Sequence, residues 1–371
     1  MELSKEEHKR YDRHIRLNGV GVAGQEKLKN ASVLVIGAGG LGCPVLQYLT
    51  AAGVGKIGMV DGDVVSESNL QRQVLYGQSD IGQYKVEVAV RKLKDQNPFV
   101  KFVVFKEFLT VENAIEIVEE FDIVIDGTDN FASRYLVNDA CVIADKPLIF
   151  GSIFKFEGQV SVFNYQGGPS YRCLYPDMPK AGDVPNCSEV GVLGVLPGLV
   201  GTMMANECLK IALEIGEVSS GKLQVINLLQ NNNMTINIAR NEINFKRKQL
   251  ESSYEHDCES IDKKQSMKSI TVQELSKKLQ TEELIQLIDV REPIEYGICS
   301  ITKSELIPLS TIPFSVEKIH RDIPVVFICH HGMRSASAIQ FLETEGFTNL
   351  INLSGGIDAW AREVDPKMEV Y

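Results

Sequence analysis

The segment that most constrains the fold is residues 33–42, VLVIGAGGLG. Four β-prone apolar residues lead into a glycine-rich turn and then a helix-like run, so Gly37, Gly39 and Gly42 fit G-x-G-x-x-G in a strand–turn–helix setting. There the first glycine permits a tight turn, the second admits a phosphate to the backbone, and the third lets helix pack on strand. The helix N-terminus offers unpaired N–H groups to an anion. The segment predicts a nucleotide-binding turn and, by itself, is typical of NAD-binding proteins.

Alternating strand and helix patterns continue after this turn. We predict strands at 32–36, 56–60, 100–105, 122–126, 147–151 and 158–163. This alternation predicts an α/β fold with a Rossmann-like, doubly wound and mostly parallel sheet. Ligands of such sheets bind at the carboxyl ends of the strands. Three predicted strand ends carry small or polar residues, namely Gly39-Gly40, the DGD of residues 61–63 and the DGTDN of residues 126–130.

Charged residues near these strand ends favour ATP over NAD. Asp61 is placed to hold ribose hydroxyls, while Arg72 and Lys85 follow in the next segments. Cleavage of ATP between its α- and β-phosphates builds negative charge, which fixed cations stabilise. Asp129 is a candidate ligand for the Mg²⁺ that ATP chemistry requires. Each cation taken singly fits an ordinary surface charge, but their joint position beside strand ends favours a site.

Length and charge limit the classes of protein. A chain of 371 residues predicts two domains. The net charge of −11 argues against nucleic acid or an anionic membrane as the main partner. We see no signal peptide, and the apolar run 190–205, which contains Pro197, fits a buried helix better than a membrane span. We therefore expect a cytoplasmic protein with reduced cysteines.

The N-terminal residues predict a charged helix. Residues 4–7 (SKEE) form a capping box, and Arg10, Arg13 and Arg16 recur at a spacing that places them on one helix face. That face is either solvated or a basic arm that reaches a phosphate.

Taken together, the motifs GAGGLG, DGD, SNLQRQ, GQYK and GTDN resemble the MoeB/ThiF family of adenylyltransferases over roughly residues 5–245. The resemblance implies an enzyme that adenylates the C-terminal glycine of a small ubiquitin-like sulfur carrier. It also implies a homodimer in which Arg13 of one subunit reaches the ATP of the other. The nucleotide-binding residues implied by the motifs are Gly40, Asp61, Asp63, Asn69, Arg72, Lys85, Asp129 and Asn130.

Cys187 stands in a predicted loop that enters an apolar helix. A cysteine near a helix N-terminus can have a lowered pKa and form a thiolate. Relatives carry a cysteine at this position and use it for a covalent link to the carrier, which favours a catalytic role. The alternative is a structural thiol.

The zinc site common in the family has lost half of its ligands. The two C-x-x-C pairs read SYRC (170–173) and EHDC (255–258), so Cys173 and Cys258 remain without their partners. Four sulfur ligands are not available. We therefore predict no zinc, the alternative being a weakened site that adds His256.

Residues 246–267 are polar and predict a linker between a domain of residues 1–245 and a second domain of residues 268–371. The alternative is that the first part of this stretch packs on the sheet. The motifs DVRE (289–292), CHHGMRS (329–335) and LSGGIDAW (353–360) resemble a rhodanese domain. Cys329, placed at a predicted helix start, lies among convergent N–H groups that favour a thiolate or persulfide, and Arg334 adds positive charge. Four residues separate Cys329 from Arg334, whereas related phosphatases have five, so sulfur transfer is favoured.

The sequence therefore predicts an ATP-dependent adenylyltransferase joined to a sulfurtransferase. Cys329 would receive sulfur from a donor such as a cysteine desulfurase and convert the activated carrier into a thiocarboxylate for molybdopterin or thiamine synthesis. One alternative is a sulfur-relay scaffold with a silent adenylation site. A dinucleotide oxidoreductase is disfavoured by Arg72 and Lys85.

Overall fold

The computed structural model describes residues 1–179, 191–254, 267–281 and 283–370. The chain divides into two compact units, Met1–Asp257 and Cys258–Tyr371. No helix in these described ranges is both long and apolar enough to cross a membrane.

The first unit is built on an eight-stranded sheet. Its strand order is β3-β2-β1-β4-β5-β6-β7-β8. Neighbours from β3 to β5 are parallel, and the pairs from β5 to β8 are antiparallel. The six predicted strands are therefore present, followed by an antiparallel hairpin that the sequence analysis did not predict. The strands are β1 Ser32–Ile36, β2 Lys56–Val60, β3 Lys101–Phe105, β4 Ile123–Asp126, β5 Leu148–Phe154, β6 Glu157–Phe163, β7 Lys222–Asn227 and β8 Asn232–Asn237.

Helices cover both faces of this sheet and form an apolar core on each. The buried side chains of β1 alternate between these two cores. Val33 and Val35 face the core that includes Leu46 and Val200, whereas Leu34 faces the core of Phe121. The predicted doubly wound fold is confirmed. The helices are α1 Lys5–Arg10, α2 Asp12–Ile15, α3 Gly21–Asn30, α4 Gly42–Ala52, α5 Lys85–Gln96, α6 Ala114–Glu119, α7 Phe131–Ile143, α8 Tyr171–Leu174 and α9 Val195–Leu213.

Parallel register brings three strand ends together. Ile36, the last residue of β1, pairs with Val60 of β2 and Asp126 of β4. The turns after β1, β2 and β4 therefore leave the sheet at one edge, which is where ligands of such folds bind. The apolar run near residue 200 forms α9, which packs against α4, β5 and β6 rather than spanning a membrane.

The N-terminal arm is two helices rather than the single helix predicted. Tyr11 separates α1 from α2, because it is buried against Gly53 and its hydroxyl accepts a hydrogen bond from Asn97 at 2.9 Å. The capping box of Ser4 and Glu7 is present. Arg10 ends α1 while Arg13 lies in α2, so the arginines do not share one continuous helix face.

The first unit extends past the predicted boundary at residue 245. Tyr254 is buried, and its hydroxyl donates a hydrogen bond of 2.7 Å to the buried carboxylate of Asp139 in α7. Arg172 forms a bidentate ion pair with the same carboxylate, both contacts being 2.8 Å, and also reaches Glu251. Residues 247–254 thus pack on α7 and α8 of the first unit, and the domain bounds given from the sequence stay a prediction. Residues 255–266 of the predicted linker lie outside the described ranges.

The second unit holds a smaller parallel sheet of order β11-β10-β12-β13-β9. Its strands are β9 Ser269–Ile270, β10 Gln286–Asp289, β11 Glu305–Leu306, β12 Val325–Ile328 and β13 Leu350–Leu353. Its helices are α10 Val272–Gln280, α11 Pro293–Ile298, α12 Met333–Thr344 and α13 Gly356–Glu363.

We predict that Arg172→Met lowers the free energy of unfolding of the first unit by about 3 kcal/mol, because it leaves a buried carboxylate short of its main partner. Urea unfolding followed by circular dichroism measures the change. Fluorescence of Trp360, the single tryptophan, reports the second unit separately. The control is Arg16→Ala, which removes an exposed pair with Asp12 and should cost less than about 0.5 kcal/mol. An unchanged unfolding curve for Arg172→Met would contradict the prediction.

Candidate functional site

A cavity of about 450 Å³ opens at the sheet edge where β1, β2 and β4 end. Most of the nucleotide-binding residues predicted from the sequence line it. Among the described residues its charged lining comprises three cations and three carboxylates, which are Arg72, Lys85, Arg134, Asp61, Asp63 and Asp129. Gly40 and Asn130 also line the cavity.

The glycine turn forms one wall of the cavity through its backbone. Gly37 adopts φ +90°, and a Cβ there would lie 2.9 Å from the carbonyl oxygen of Gly127. A Cβ at Gly40 would lie 3.2 Å from Pro197, which leaves little room for a side chain. The turn therefore presents bare backbone at the start of α4, as an anion-binding turn requires.

Asp61 is a buried carboxylate held by backbone. Its oxygens accept hydrogen bonds of 2.8 Å from the N–H groups of Ala38 and Asp63. Burial raises the pKa of Asp61, while the charge of Lys85 opposes that rise. The carboxylate thus stays fixed beside the glycine turn, in position to accept hydrogen bonds from hydroxyl groups.

Lys85 is the first residue of α5 and is buried at the cavity wall. Its Nζ donates to Asp63 Oδ2 at 2.7 Å and lies 4.0 Å from Asp61 Oδ2. An ammonium group carries three donors, so Lys85 can retain Asp63 and still donate to an anion in the cavity.

Arg72 and Asn69 come from the segment after β2 but take different positions. Arg72 is half-buried, lines the cavity, and donates from Nη1 to the carbonyl of Ser68 at 3.0 Å. The Asn69 side chain accepts from the N–H of Ser66 at 3.3 Å and is not among the described lining residues. Asn69 therefore caps the short helical turn that positions Arg72, and its predicted nucleotide contact stays a prediction.

Asp129 is the carboxylate that best fits a divalent cation. It is exposed in the cavity, and no ion pair joins it to another described residue. Asn130 next to it accepts from Ser133 N–H at 2.9 Å and so starts α7. No group of three or more potential metal ligands occurs in the described ranges. A Mg²⁺ ion here would therefore need substrate oxygens beside Asp129, as is usual for that ion.

Arg13 does not reach the cavity of its own chain. It is exposed on α2 and is absent from the described lining residues. Tyr11, which is buried between α1 and α2, packs against Gly53 at the end of α4 and so fixes the position of Arg13 on the surface. A contribution of Arg13 to the site therefore requires a second copy of the chain.

Two buried polar residues that line the cavity are not predicted from the sequence. Gln73 is 4% exposed and Arg134 is 7% exposed, and each has a buried polar side-chain atom without a hydrogen-bond partner in the described parts of the chain. Gln73 directly follows Arg72 in a motif that was noted, and Arg134 lies one helical turn after Asn130. Because Asn130 follows the end of β4, the position of Arg134 one helical turn later is the sequence signal for a cation near this strand end.

The cysteines of the first unit differ in what the structure describes. Cys187 lies outside the described residues, as do Cys258 and His256 of the altered zinc motif. Cys173 Sγ accepts hydrogen bonds from the N–H of Asn241 at 3.3 Å and the side-chain amide of Asn244 at 3.4 Å. Burial opposes ionisation, but these bonds and those from Ser170 lower the pKa of Cys173.

Cys329 directly follows β12 in the second unit. It is buried, and its Sγ accepts a hydrogen bond of 3.0 Å from the N–H of Gly332. Gly332 has φ +100° and lies next to the start of α12. Ser335 Oγ lies 3.3 Å from the same sulfur and 2.6 Å from Asn352 Oδ1. Among the described residues the loop thus places one backbone N–H and one hydroxyl at the sulfur, next to a helix start. The predicted role of Cys329 as a thiolate or persulfide stays a prediction.

Arg334 makes a contact that the sequence did not reveal. Its two terminal nitrogens donate to the two carboxylate oxygens of Glu295 in α11, both at 2.6 Å. The pair fastens the first turn of α12 to α11. The predicted contribution of Arg334 to an anionic sulfur therefore stays a prediction.

Known proteins match both units. Residues 11–249 match the ThiF family and residues 271–363 match the rhodanese-like domain. A probable adenylyltransferase/sulfurtransferase MoeZ from Mycobacterium tuberculosis is 44% identical over 379 residues, covering 100% of this chain and 96% of that protein. A sulfur carrier protein adenylyltransferase from Thermus thermophilus is 50% identical over 246 residues, covering 65% of this chain and 91% of that protein.

A solved structure, E. coli MccB with AMPCPP and MccA, has a TM-score of 0.57 and 25% identity. The match covers 64% of this chain and 73% of MccB. The fold and the sequence matches together define the class. This chain belongs to the ThiF family and carries a C-terminal rhodanese-like domain. Its activities are those of an adenylyltransferase and a sulfurtransferase.

Proposed function

We propose that the first domain uses ATP and Mg²⁺ to adenylate the C-terminal glycine of a ubiquitin-like sulfur carrier, and that Cys329 then provides the sulfur for a thiocarboxylate. The observation that carries this proposal is the cavity at the sheet edge, which gathers Arg72, Lys85 and the exposed Asp129 around a glycine turn. The Thermus relative, whose name specifies a sulfur carrier protein, and the MccB structure with AMPCPP support it.

The described residues suit the nucleotide. Asp61 would accept hydrogen bonds from ribose hydroxyls, and the backbone at Gly39 and Gly40 would approach the phosphates. Lys85 and Arg72 would bind the oxygens on which charge builds as pyrophosphate leaves. A Mg²⁺ ion bound by Asp129 would neutralise phosphate charge.

The first chemical step would join carrier and nucleotide. A carboxylate oxygen of the carrier attacks the α-phosphorus, a new phosphorus–oxygen bond forms, and the bond to the β-phosphate breaks. Pyrophosphate leaves with the bonding electron pair. The product is a mixed anhydride whose acyl carbon is activated because AMP is a good leaving group.

The second step would use sulfur carried by Cys329. A persulfide donor, such as a cysteine desulfurase, transfers its terminal sulfur to the Cys329 thiolate, and the donor thiolate leaves. The terminal sulfur of the Cys329 persulfide attacks the acyl carbon, and AMP leaves. A thiolate then attacks the Cys329 sulfur of the acyl disulfide, so a disulfide forms between that thiol and Cys329. The thiocarboxylate leaves with the electron pair of the broken sulfur–sulfur bond. Cys187 is our candidate for that thiol or for a covalent relay.

The biological setting follows from these reactions. We propose a cytoplasmic homodimer in which Arg13 of one subunit reaches the nucleotide of the other. The thiocarboxylate would serve molybdopterin or thiamine synthesis.

We predict that Asp129→Ala abolishes carrier-dependent exchange of pyrophosphate into ATP, because the carboxylate that binds the metal is lost. Arg72→Ala should lower exchange by about 10²-fold or more, since a cation at the developing charge is removed. Asp95→Ala, at an exposed helix position in the same unit, is the control and should retain wild-type exchange. The site assignment is wrong if both active-site variants exchange normally, and a wild type without exchange would favour the scaffold alternative.

We predict that Arg13→Ala and Lys85→Ala are each inactive in exchange but regain part of the activity when mixed. A mixed dimer contains one site with both residues intact and one with neither. Mass spectrometry of the mixture verifies that subunits have exchanged. If such heterodimers stay inactive, Arg13 does not act across a dimer.

We predict that Cys329→Ala blocks thiocarboxylate formation from a protein persulfide donor but leaves pyrophosphate exchange intact. The wild type should gain one sulfur atom at this residue after incubation with thiosulfate or a desulfurase, as measured by mass spectrometry of its peptides. Cys299→Ala, the other described cysteine of the second unit, is the control. Normal sulfur transfer by Cys329→Ala, or an adduct on another cysteine, would contradict the proposal.

A further inference from the structure

Arg134 is a buried cation in the wall of the adenylation cavity. It lies in the first turn of α7, and only 7% of its surface is exposed. Nη2 donates to the carbonyl of Thr128 at 3.4 Å, which is a long hydrogen bond. Nε is buried and has no partner in the described parts of the chain. A buried donor without a partner is costly, so a ligand oxygen at this position would complete the site.

Arg134 interacts electrostatically with the buried carboxyl of Asp126, where its charge opposes the rise in pKa that burial causes, but the two groups form no ion pair within 4.0 Å in the described structure. The nearby carboxyl of Asp126 accepts two hydrogen bonds from Thr128, one from its N–H at 2.9 Å and one from its hydroxyl at 2.6 Å. The guanidinium instead lies 5.5 Å from the ring centre of Phe131 and 5.6 Å from that of Phe150. An anionic ligand is therefore the partner that the site lacks.

The order of strands determines which anion would reach Arg134. The sheet runs β3-β2-β1-β4-β5, so the glycine turn after β1 is central. Asp61 and Lys85 follow β2 and lie on one side of that turn. Arg134 follows β4 and packs on Phe150 of β5, on the other side. A nucleotide with its ribose at Asp61 and its phosphates between the glycine turn and Asp129 leaves the part of the cavity nearest β5, where Ile153 lines it, for the group that attacks.

We propose that Arg134 binds the terminal carboxylate of the acceptor before adenylation. This inference rests on the function proposed above. The guanidinium of Arg134, which lines the cavity, would hold one carboxylate oxygen through its N–H groups and leave the second oxygen free to attack the α-phosphorus. Holding the nucleophile in this way favours reaction because orientation is achieved during binding. ATP phosphate is the other possible anion, and the experiment separates the two.

The test measures binding of two forms of the carrier that supports pyrophosphate exchange. One form ends in a carboxylate, and the other is prepared with a C-terminal carboxamide. The wild type should bind the carboxylate form on the order of tenfold more tightly, as expected for a charge-assisted hydrogen bond. Arg134→Gln should bind both forms equally, and its KM for the carrier should rise on the order of tenfold. Its affinity for AMPCPP and its KM for ATP should match those of the wild type.

Three results would overturn the inference. A loss of AMPCPP affinity in Arg134→Gln with the carboxylate preference retained would make Arg134 a phosphate ligand. Retention of both would make it a structural residue. If Arg134→Gln does not fold, the wild type with ¹⁵N-labelled arginine decides, its Arg134 Nε–H resonance being assigned by its loss in Arg134→Lys. That resonance should shift with the carboxylate carrier and not with the carboxamide. Equal shifts, or none, would overturn the inference.

The failures of the two proposals are distinguishable. A wild type without carrier-dependent exchange removes the proposed function itself. Normal exchange in a wild type whose carboxylate preference does not depend on Arg134 removes only this inference.

Discussion

The first unit depends on a close approach of backbone at the turn after β1. A Cβ at Gly42 would lie 2.0 Å from the carbonyl oxygen of Gly37, and a Cβ at Gly37 would lie 2.9 Å from that of Gly127. No side chain fits at either position. Because of this contact, α4 begins directly beside the ends of β1 and β4. The glycine turn that forms one wall of the cavity and the sheet edge are thus parts of one packing arrangement.

Charge in the cavity at the sheet edge is organised by strand order. On the side of β2, the buried Asp61 and Lys85 lie close together and are supported by backbone N–H groups and Asp63. On the side of β4, Arg134 lies against aromatic rings without an ion pair in the described residues. Buried charges that serve stability alone are paired, as Asp139 and Arg172 are. Our proposal that Arg134 receives a ligand rests on this difference from Arg172.

The buried cysteines differ in the hydrogen-bonding groups that surround their sulfur atoms. Burial raises the pKa of the Cys43 thiol to about 12. Burial alone also raises the pKa of the Cys208 thiol. Such thiols are unreactive core residues. Cys329 is as buried as these two, but its sulfur accepts an N–H from Gly332 and lies beside the hydroxyl of Ser335. The loop conformation around a sulfur, rather than its exposure, therefore separates Cys329 from the core thiols.

Local patterns determined the fold class, the glycine turn and the Cys329 loop, because β-branched runs, turn glycines and helix starts act over a few residues. They also indicated most of the cavity, since parallel strand ends share one edge. Tertiary structure decided the rest. Tyr11, whose hydroxyl meets Asn97, divides the N-terminal arm, and Arg334 pairs with Glu295, 39 residues away. The contact of Arg134 with Phe150 of the neighbouring strand β5 is likewise tertiary. Such contacts join residues distant in sequence, so no local pattern specifies them.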